Sequence, residues 1–291
     1  MPTSFLALAL VGFSAQLVDG ALGMAYGVTS TSLLLTVGVV PAAASASVHI
    51  AEVGTTLASG ISHWRLGNLT RLVVIRLAIP GAIGAFLGAV ALSNLSADVA
   101  RPLVSLFLAG LGVLLLVRFG FRSGRVVQPR HIPSRALAPL GFVGGFMDAA
   151  GGGGWGPIVT PALMASGRIY PRKAVGNTDA SEFAVALAAS IGFFVALDLS
   201  EISLGLVAAM LLGGVLAAPM AAWLVRRLPS RILGVAVSGV IILTNGPRAL
   251  DSLSVPDVAE LAILGALGVA WLAAMVVVLL RRRPTPAAVR E

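Results

Sequence analysis

The stretch SASVHIAEVGTT sets Ser45, His49, Glu52 and Thr56 at successive spacings of 4, 3 and 4 residues, which is one face of an α-helix. A second stretch, VGNTDASEF, sets Asp179 and Glu182 three apart, with Asn177 and Thr178 beside them. A histidine facing a carboxylate, or two carboxylates facing each other, can exchange protons near neutral pH once their surroundings shift their titration. The alternative role is structural: helix caps or ion pairs near a helix end. Both stretches are embedded in nearly apolar chain. Ionisable groups in such segments usually face an interior cavity and serve binding or proton movement. Glu52 and Glu182 are therefore the candidate proton carriers. His49, Asn177 and Asp179 are candidate lining groups of a binding cavity.

The elements that carry these residues must be membrane helices. Of 291 residues 57% are hydrophobic and 11% charged, with a mean hydropathy of +0.97. A water-soluble globule of this composition could not cover its surface with polar groups. Apolar segments fall at about 4-36, 42-62, 72-92, 102-119, 136-166, 174-196, 202-225, 232-247 and 261-280, of helix-spanning length and without the alternation of a barrel strand. The net charge of +8 and pI of about 11.4 could suggest nucleic acid, but the arginines sit in short clusters between apolar segments, where topology signals lie. No nucleic-acid partner is expected. The absence of cysteine excludes disulfides and thiolate metal sites, and no cofactor is expected. The first twenty residues hold no Lys or Arg, which argues against a cleaved signal peptide.

The stretches 4-36 and 136-166 are too long for one span, and each is interrupted by an aspartate and glycines: Asp19, Gly20, Gly23 and Gly27 in one, Asp148, Gly151 to Gly154 and Gly156 in the other. They also resemble each other. GFSAQLVDGALGMAYG from Gly12 superposes on GFVGGFMDAAGGGGWG from Gly141, an offset of 129 that becomes 130 after the next turn and then lays Glu52 on Glu182 and His49 on Asp179. The chain reads as two copies of one unit. Lys and Arg cluster at 63-76, 118-135, 168-173, 226-231 and 281-290. All of these share one side only if each long stretch enters the membrane, breaks at its glycines and leaves on the side it came from.

The expected architecture is thus an all-α integral membrane protein with about seven transmembrane helices and two Gly-tipped re-entrant hairpins in two inverted repeats. Residues 1-125 form the first repeat with hairpin 4-36, and 126-250 the second with hairpin 136-166. Residues 251-291 add a span and a basic tail. The N-terminus lies outside and the C-terminus in the cytoplasm of a bacterial inner membrane, and the chain is a monomer or homodimer. Inverted repeats of broken helices are a common plan of secondary transporters.

A backbone that leaves helix at membrane depth must be buried in protein or line a wet cavity. The helix that restarts after each break points its free N–H groups and positive dipole end inward, which suits an anion. A small oxyanion is expected between the two tips, held near Gly23, Met24 and Ala25 and near Gly153, Gly154 and Trp155, with hydroxyls from Thr29, Ser30 and Thr160. Asp19 and Asp148, at the ends of the incoming helices, hold the tips together or touch substrate.

These residues resemble a known family. GGGGWGPIVTPAL, from Gly151 to Leu163, repeated in two halves with a short turn and a small-residue helix after each, looks like the TauE/SafE family of sulfite and organosulfur anion exporters or permeases. The resemblance covers roughly residues 5 to 250. The first copy departs from it, with Ser32 where the second has Pro161, which leaves the substrate open. The resemblance implies membrane transport of a small, sulfur-containing oxyanion.

Other functions leave traces that can be sought. No Walker sequence occurs, so the chain carries no ATPase of its own. An enzyme would need a nucleophile and base, and neither a cysteine nor a G-x-S-x-G is present. His63 is expected at a cytoplasmic edge beside Arg65, and His131 in a basic loop. An anion channel of the same architecture, a carrier of short carboxylates and a lipid-facing scaffold remain as alternatives.

Overall fold

A computed structural model describes residues 5-36, 38-121, 130-197, 202-224 and 230-280. The basic residues Arg122, Arg125, Arg226, Arg227 and Arg281 to Arg283, used above to orient the chain, lie outside the described residues. Helices α1 (Phe5–Leu22), α2 (Tyr26–Thr36), α3 (Pro41–Arg65), α4 (Arg71–Ser93) and α5 (Ala97–Leu116) are followed by α6 (Ser134–Gly151), α7 (Trp155–Ala165), α8 (Pro171–Ala196), α9 (Leu204–Leu224) and α10 (Ser230–Ser252). Helix α11 (Asp257–Leu280) comes last, and a π-helical turn at Val117–Phe121 extends α5.

The order repeats in length: 18, 11, 25, 23 and 20 residues from α1 to α5, then 18, 11, 26, 21 and 23 from α6 to α10. The packing repeats as well. Helix α1 lies along α9 as α6 lies along α4, and α3 packs on α9 as α8 packs on α4. Helices α3 and α8 meet at the centre, and α5 meets α10.

Helix α4 shows why these segments stack. Leu72, Ile75, Ile79, Ile83 and Leu87 form an exposed stripe, while Leu77, Gly81, Gly84, Ala85 and Gly88 are buried. Large apolar groups facing outward and small ones facing the bundle are the pattern of a helix solvated by lipid tails. The small residues allow close backbone approach. A Cβ on Gly141 would lie 2.6 Å from the Leu77 carbonyl oxygen, and one on Gly145 would collide with the Gly81 carbonyl. Gly145→Ala is therefore expected to destabilise the bundle by about 1–3 kcal/mol, as overpacking does, read as a lower unfolding midpoint in detergent. Gly110→Ala, on α5 with open space around it, should leave the midpoint unchanged or raise it.

Six helices among the described residues are long and apolar enough to cross a membrane: Phe5–Leu22, Arg71–Ser93, Asp98–Phe121, Arg172–Ala196, Leu204–Leu224 and Asp257–Leu280. The chain is an all-helical multi-pass membrane protein. This set differs from the seven expected spans. Helices α3 and α10 are not in it, although they are 25 and 23 residues long. The polar stripe of α3 lowers its hydropathy, and α8 and α9 bury that stripe so that lipid never meets it. Conversely, α1 is in the set. It runs for 18 residues, about 27 Å at 1.5 Å per residue, while α2 and α7 have 11. The limb before each break thus runs for 18 residues and the limb after it for 11.

Candidate functional site

The breaks fall at Gly23 to Ala25 and Gly152 to Gly154. Gly152 and Gly153 have φ of 74° and 130° and Gly23 has 65°, conformations that side chains rarely adopt. Ala25 sits at φ 106° without that freedom.

The two breaks touch. A Cβ on Gly27 would lie 2.9 Å from the Gly153 Cα, and one on Gly156 would lie 2.7 Å from the Gly23 carbonyl oxygen. Thr160 Oγ1 donates to that same Gly23 carbonyl at 2.6 Å, and Ser45 Oγ donates to the Ala149 carbonyl at 2.9 Å. Each half thus reaches into the other's break. Trp155 is fully buried, donates its indole N–H to the Thr178 carbonyl at 3.0 Å and packs against Gly81 and Gly144.

The first amides of the short helices do not face an empty site. Asp148 Oδ1 accepts from the N–H of Gly154 at 2.7 Å and of Trp155 at 2.9 Å, and its carbonyl accepts from Gly153 at 2.9 Å. Asp19 Oδ1 accepts from the Tyr26 N–H at 3.2 Å, and its carbonyl accepts from Gly23. The anion at each helix start is the protein's own carboxylate, placed there because the positive dipole end favours it. Thr29 lies apart from the breaks. It is half-buried and lines a lateral groove of about 360 Å³ with Leu10, Val11, Ser14, Ala15, Val18 and Leu33. Met24, Ala25 and Ser30 are buried at the contact, and Ser30 Oγ has no partner.

Two clusters of ionisable groups stand behind these caps. In one, His49 Nδ1 lies 2.6 Å from Glu52 Oε2 and 3.9 Å from Asp148 Oδ2, and Phe193 stacks on the imidazole with ring centres 6.0 Å apart. In the other, Asp19 meets Asp179 and Glu182. Within each trio the facing atoms lie within 4.8 Å of one another, and all six side chains are buried. Asp148 belongs to the second half yet joins His49 and Glu52 of the first, while Asp19 of the first joins Asp179 and Glu182 of the second. The positions that superpose in sequence build two equivalent clusters by crossing over.

Each trio holds unpartnered atoms: His49 Nε2, Glu52 Oε1 and Asp148 Oδ2 in one, Asp19 Oδ2, Asp179 Oδ1 and Glu182 Oε2 in the other. Two unit charges 4.8 Å apart repel by about 3 kcal/mol at an effective dielectric of about 20. Three ionised carboxylates at that separation would cost roughly 10 kcal/mol, as large as the stability of a domain. Such a cluster is stable only with compensating positive charge, a proton or a bound cation. The donor sets, one imidazole with two carboxylates and three carboxylates, are able to take either.

Asp179 has further partners. Ser59 Oγ donates to Asp179 Oδ2, and His63 Nε2 lies 3.3 Å from the same oxygen and 3.1 Å from the Gly20 carbonyl. His63 Nε2 carries a proton, because both partners are acceptors. His63 is fully buried, which corrects its expected place at an aqueous edge. Ser59 and His63 continue the 4, 3, 4 spacing from Thr56, and following that face two turns further would have found them. Asn177 accepts from the Thr70 N–H at 2.6 Å through Oδ1 and leaves Nδ2 unpartnered. Asn245, on α10, donates to Ser32 Oγ at 2.7 Å. Nothing in its local sequence marks it.

The family model described as Sulfite exporter TauE/SafE matches residues 8–246. The chain is 48% identical over 273 residues to "Probable membrane transporter protein YtnM" of Bacillus subtilis (strain 168), covering 93% of this chain and 91% of that one. No solved structure is matched. A family-model match across both breaks and both ionisable clusters, together with 48% identity over nearly the whole length of a relative named as a probable membrane transporter, places this chain in the TauE/SafE family of membrane transporters.

Proposed function

We propose that the protein is a proton-coupled secondary transporter of a small oxyanion, sulfite or an organosulfonate, working by alternating access between two inverted repeats. The observation that carries this reading is the pair of crossed clusters, each joining the tip aspartate of one half to the ionisable face of the other. An oxyanion can share the centre with five carboxyl groups only when part of their charge is neutralised. Proton binding and anion binding then strengthen each other, and linkage requires the coupling to be reciprocal. Glu52 and Glu182 are the proton carriers. His49 Nε2 and Ser30 Oγ, buried without partners, are groups offered to the anion, with Asn177 and Asp179 at the rim.

In the conformation described the tips are closed on each other, so the anion reaches them when one repeat rocks against the other. In this reading the start of α4 and α8 lies on the cytoplasmic side, the N-terminus outside and the C-terminus inside, an orientation that the clustering of Lys and Arg supports. Direction follows the gradients.

The test is flux of a radiolabelled sulfonate in proteoliposomes. An acid proton gradient applied on the same side as the anion should accelerate uptake about 10-fold, the scale of a coupling free energy of ~1–3 kcal/mol. A rate indifferent to the gradient would remove the carboxyl groups from the coupling role.

A further inference from the structure

Away from the tips, a cavity of about 390 Å³ opens where the chain segments before α4 and α8 meet the one before α6. Thr70, Arg76, Arg130, His131, Arg168, Tyr170 and Lys173 are among the residues lining it. Thr70 and Tyr170 are the residues just before α4 and α8, and neither start receives a side-chain cap. Two positive dipole ends and four cationic side chains therefore converge on one pocket. Among the described residues none of Arg76, Arg130, Arg168 and Lys173 lies within 4 Å of a carboxylate, because every ion pair found is between a buried His and a core acid.

The rim is built. The Arg130 N–H donates to the Arg168 carbonyl at 3.0 Å, Arg168 Nη1 donates to the His131 carbonyl at 3.2 Å, and Arg76 Nη1 lies 3.3 Å from His131 Nε2. The last two contacts hold the Arg168 and Arg76 side chains in place without neutralising them. The matching turn before α3 reads Gly38, Val39, Val40, with no charge, and the sequence before α9 carries Asp198 and Glu201 and no base. The cationic pocket thus has no counterpart in the other copy; the positive-inside rule accounts for bases on this side, but not for their convergence on one cavity with two uncapped helix starts.

We propose that this pocket binds an oxyanion of the sulfate or phosphate type, through guanidinium and ammonium donors backed by the two helix starts. The site is separate from the closed tips and does not depend on how the core moves protons. The same chemistry is offered by a free oxyanion and by the phosphate of a lipid headgroup.

The experiment uses the full chain and [35S]sulfate as the probe, measured by scintillation proximity in detergent and in nanodiscs. Wild-type protein should bind sulfate saturably in detergent, and the Arg168→Gln/Lys173→Gln double variant should weaken that component by at least about tenfold. Arg65→Gln, an exposed base that does not line the pocket, should leave it unchanged, and because the readout is binding at this pocket and not proton-driven flux, failure here and failure of the transport reading are told apart. Unchanged unfolding midpoints certify the variants as folded. Loss of wild-type sulfate binding in phosphatidylglycerol nanodiscs, with retention in phosphatidylcholine, assigns the pocket to the phosphate of an anionic lipid headgroup, which no choline cation shields. Retention in both assigns it to a soluble oxyanion. Absence of saturable binding, or equal weakening by Arg65→Gln, would reduce the pocket to diffuse surface charge and overturn the proposal.

Discussion

Glu182→Gln should leave a folded protein that has lost coupled transport. The substitution keeps the shape of the side chain and removes one acid from a trio whose facing atoms lie within 4.8 Å of one another. Less charge has to be compensated in a buried site, so the unfolding midpoint is expected to hold or rise. The proposed coupling needs the group to gain and lose a proton, which an amide cannot do. Flux driven by a proton gradient should fall roughly 10- to 100-fold, while exchange of labelled for unlabelled anion at equal pH, which needs no net proton movement, should fall less. Glu52→Gln should do the same from the equivalent cluster. A Glu182→Gln protein with wild-type gradient-driven flux would show that this carboxyl is only structural.

The second large effect concerns the tip. Gly153→Ala asks alanine to adopt φ 130° and drives its Cβ into the backbone of Gly27 and Val28. Both penalties act at one residue, and the neighbour is main chain that cannot rotate away. A cost of about 3 kcal/mol or more is expected, seen as loss of monodisperse protein or a sharp drop in unfolding midpoint. Gly154→Ala is the comparison. Its φ of -155° lies outside the left-handed region, and its Cβ would meet Phe107 Cζ at 3.1 Å and the Met147 carbonyl oxygen at 3.2 Å, contacts that a shift of a few tenths of an ångström relieves. Equal tolerance of the two substitutions would mean that the tips are not packed against each other.

The elements that the sequence made legible are those written in short-range pattern. The stripe from Ser45 to Thr56 follows helical period, and the glycines at 151 to 154 announce a break because no helix tolerates them. The relation between Asp19 and Asp148 came from register. What the pattern could not carry was long-range pairing. The spacing of His49 and Glu52 says that they share a face, but not that Asp148, about a hundred residues away, closes the cluster. Electrostatics alone assigns the backbone amides of Gly154 and Trp155 to an anion, and in the fold Asp148 occupies them. A carboxylate six residues upstream in a turn reaches them at no cost in desolvation beyond its own. Thr29 was placed by its hydroxyl alone. In α2 it faces the lateral groove, on the side opposite Ser30 and Thr31, which are buried. Helix α3 falls short on hydropathy because it carries a polar face, which is turned inward.

Simultaneous recording of protons and anion gives the most direct test. Proteoliposomes loaded with a pH-sensitive dye receive a gradient of a sulfonate, chosen because its acid group stays ionised across the working range and cannot itself carry a proton through lipid. With sodium absent and membrane potential clamped, anion entering the lumen should acidify it, and the acidification should vanish in Glu182→Gln. Anion flux that proceeds at the wild-type rate with no accompanying proton movement would contradict the account.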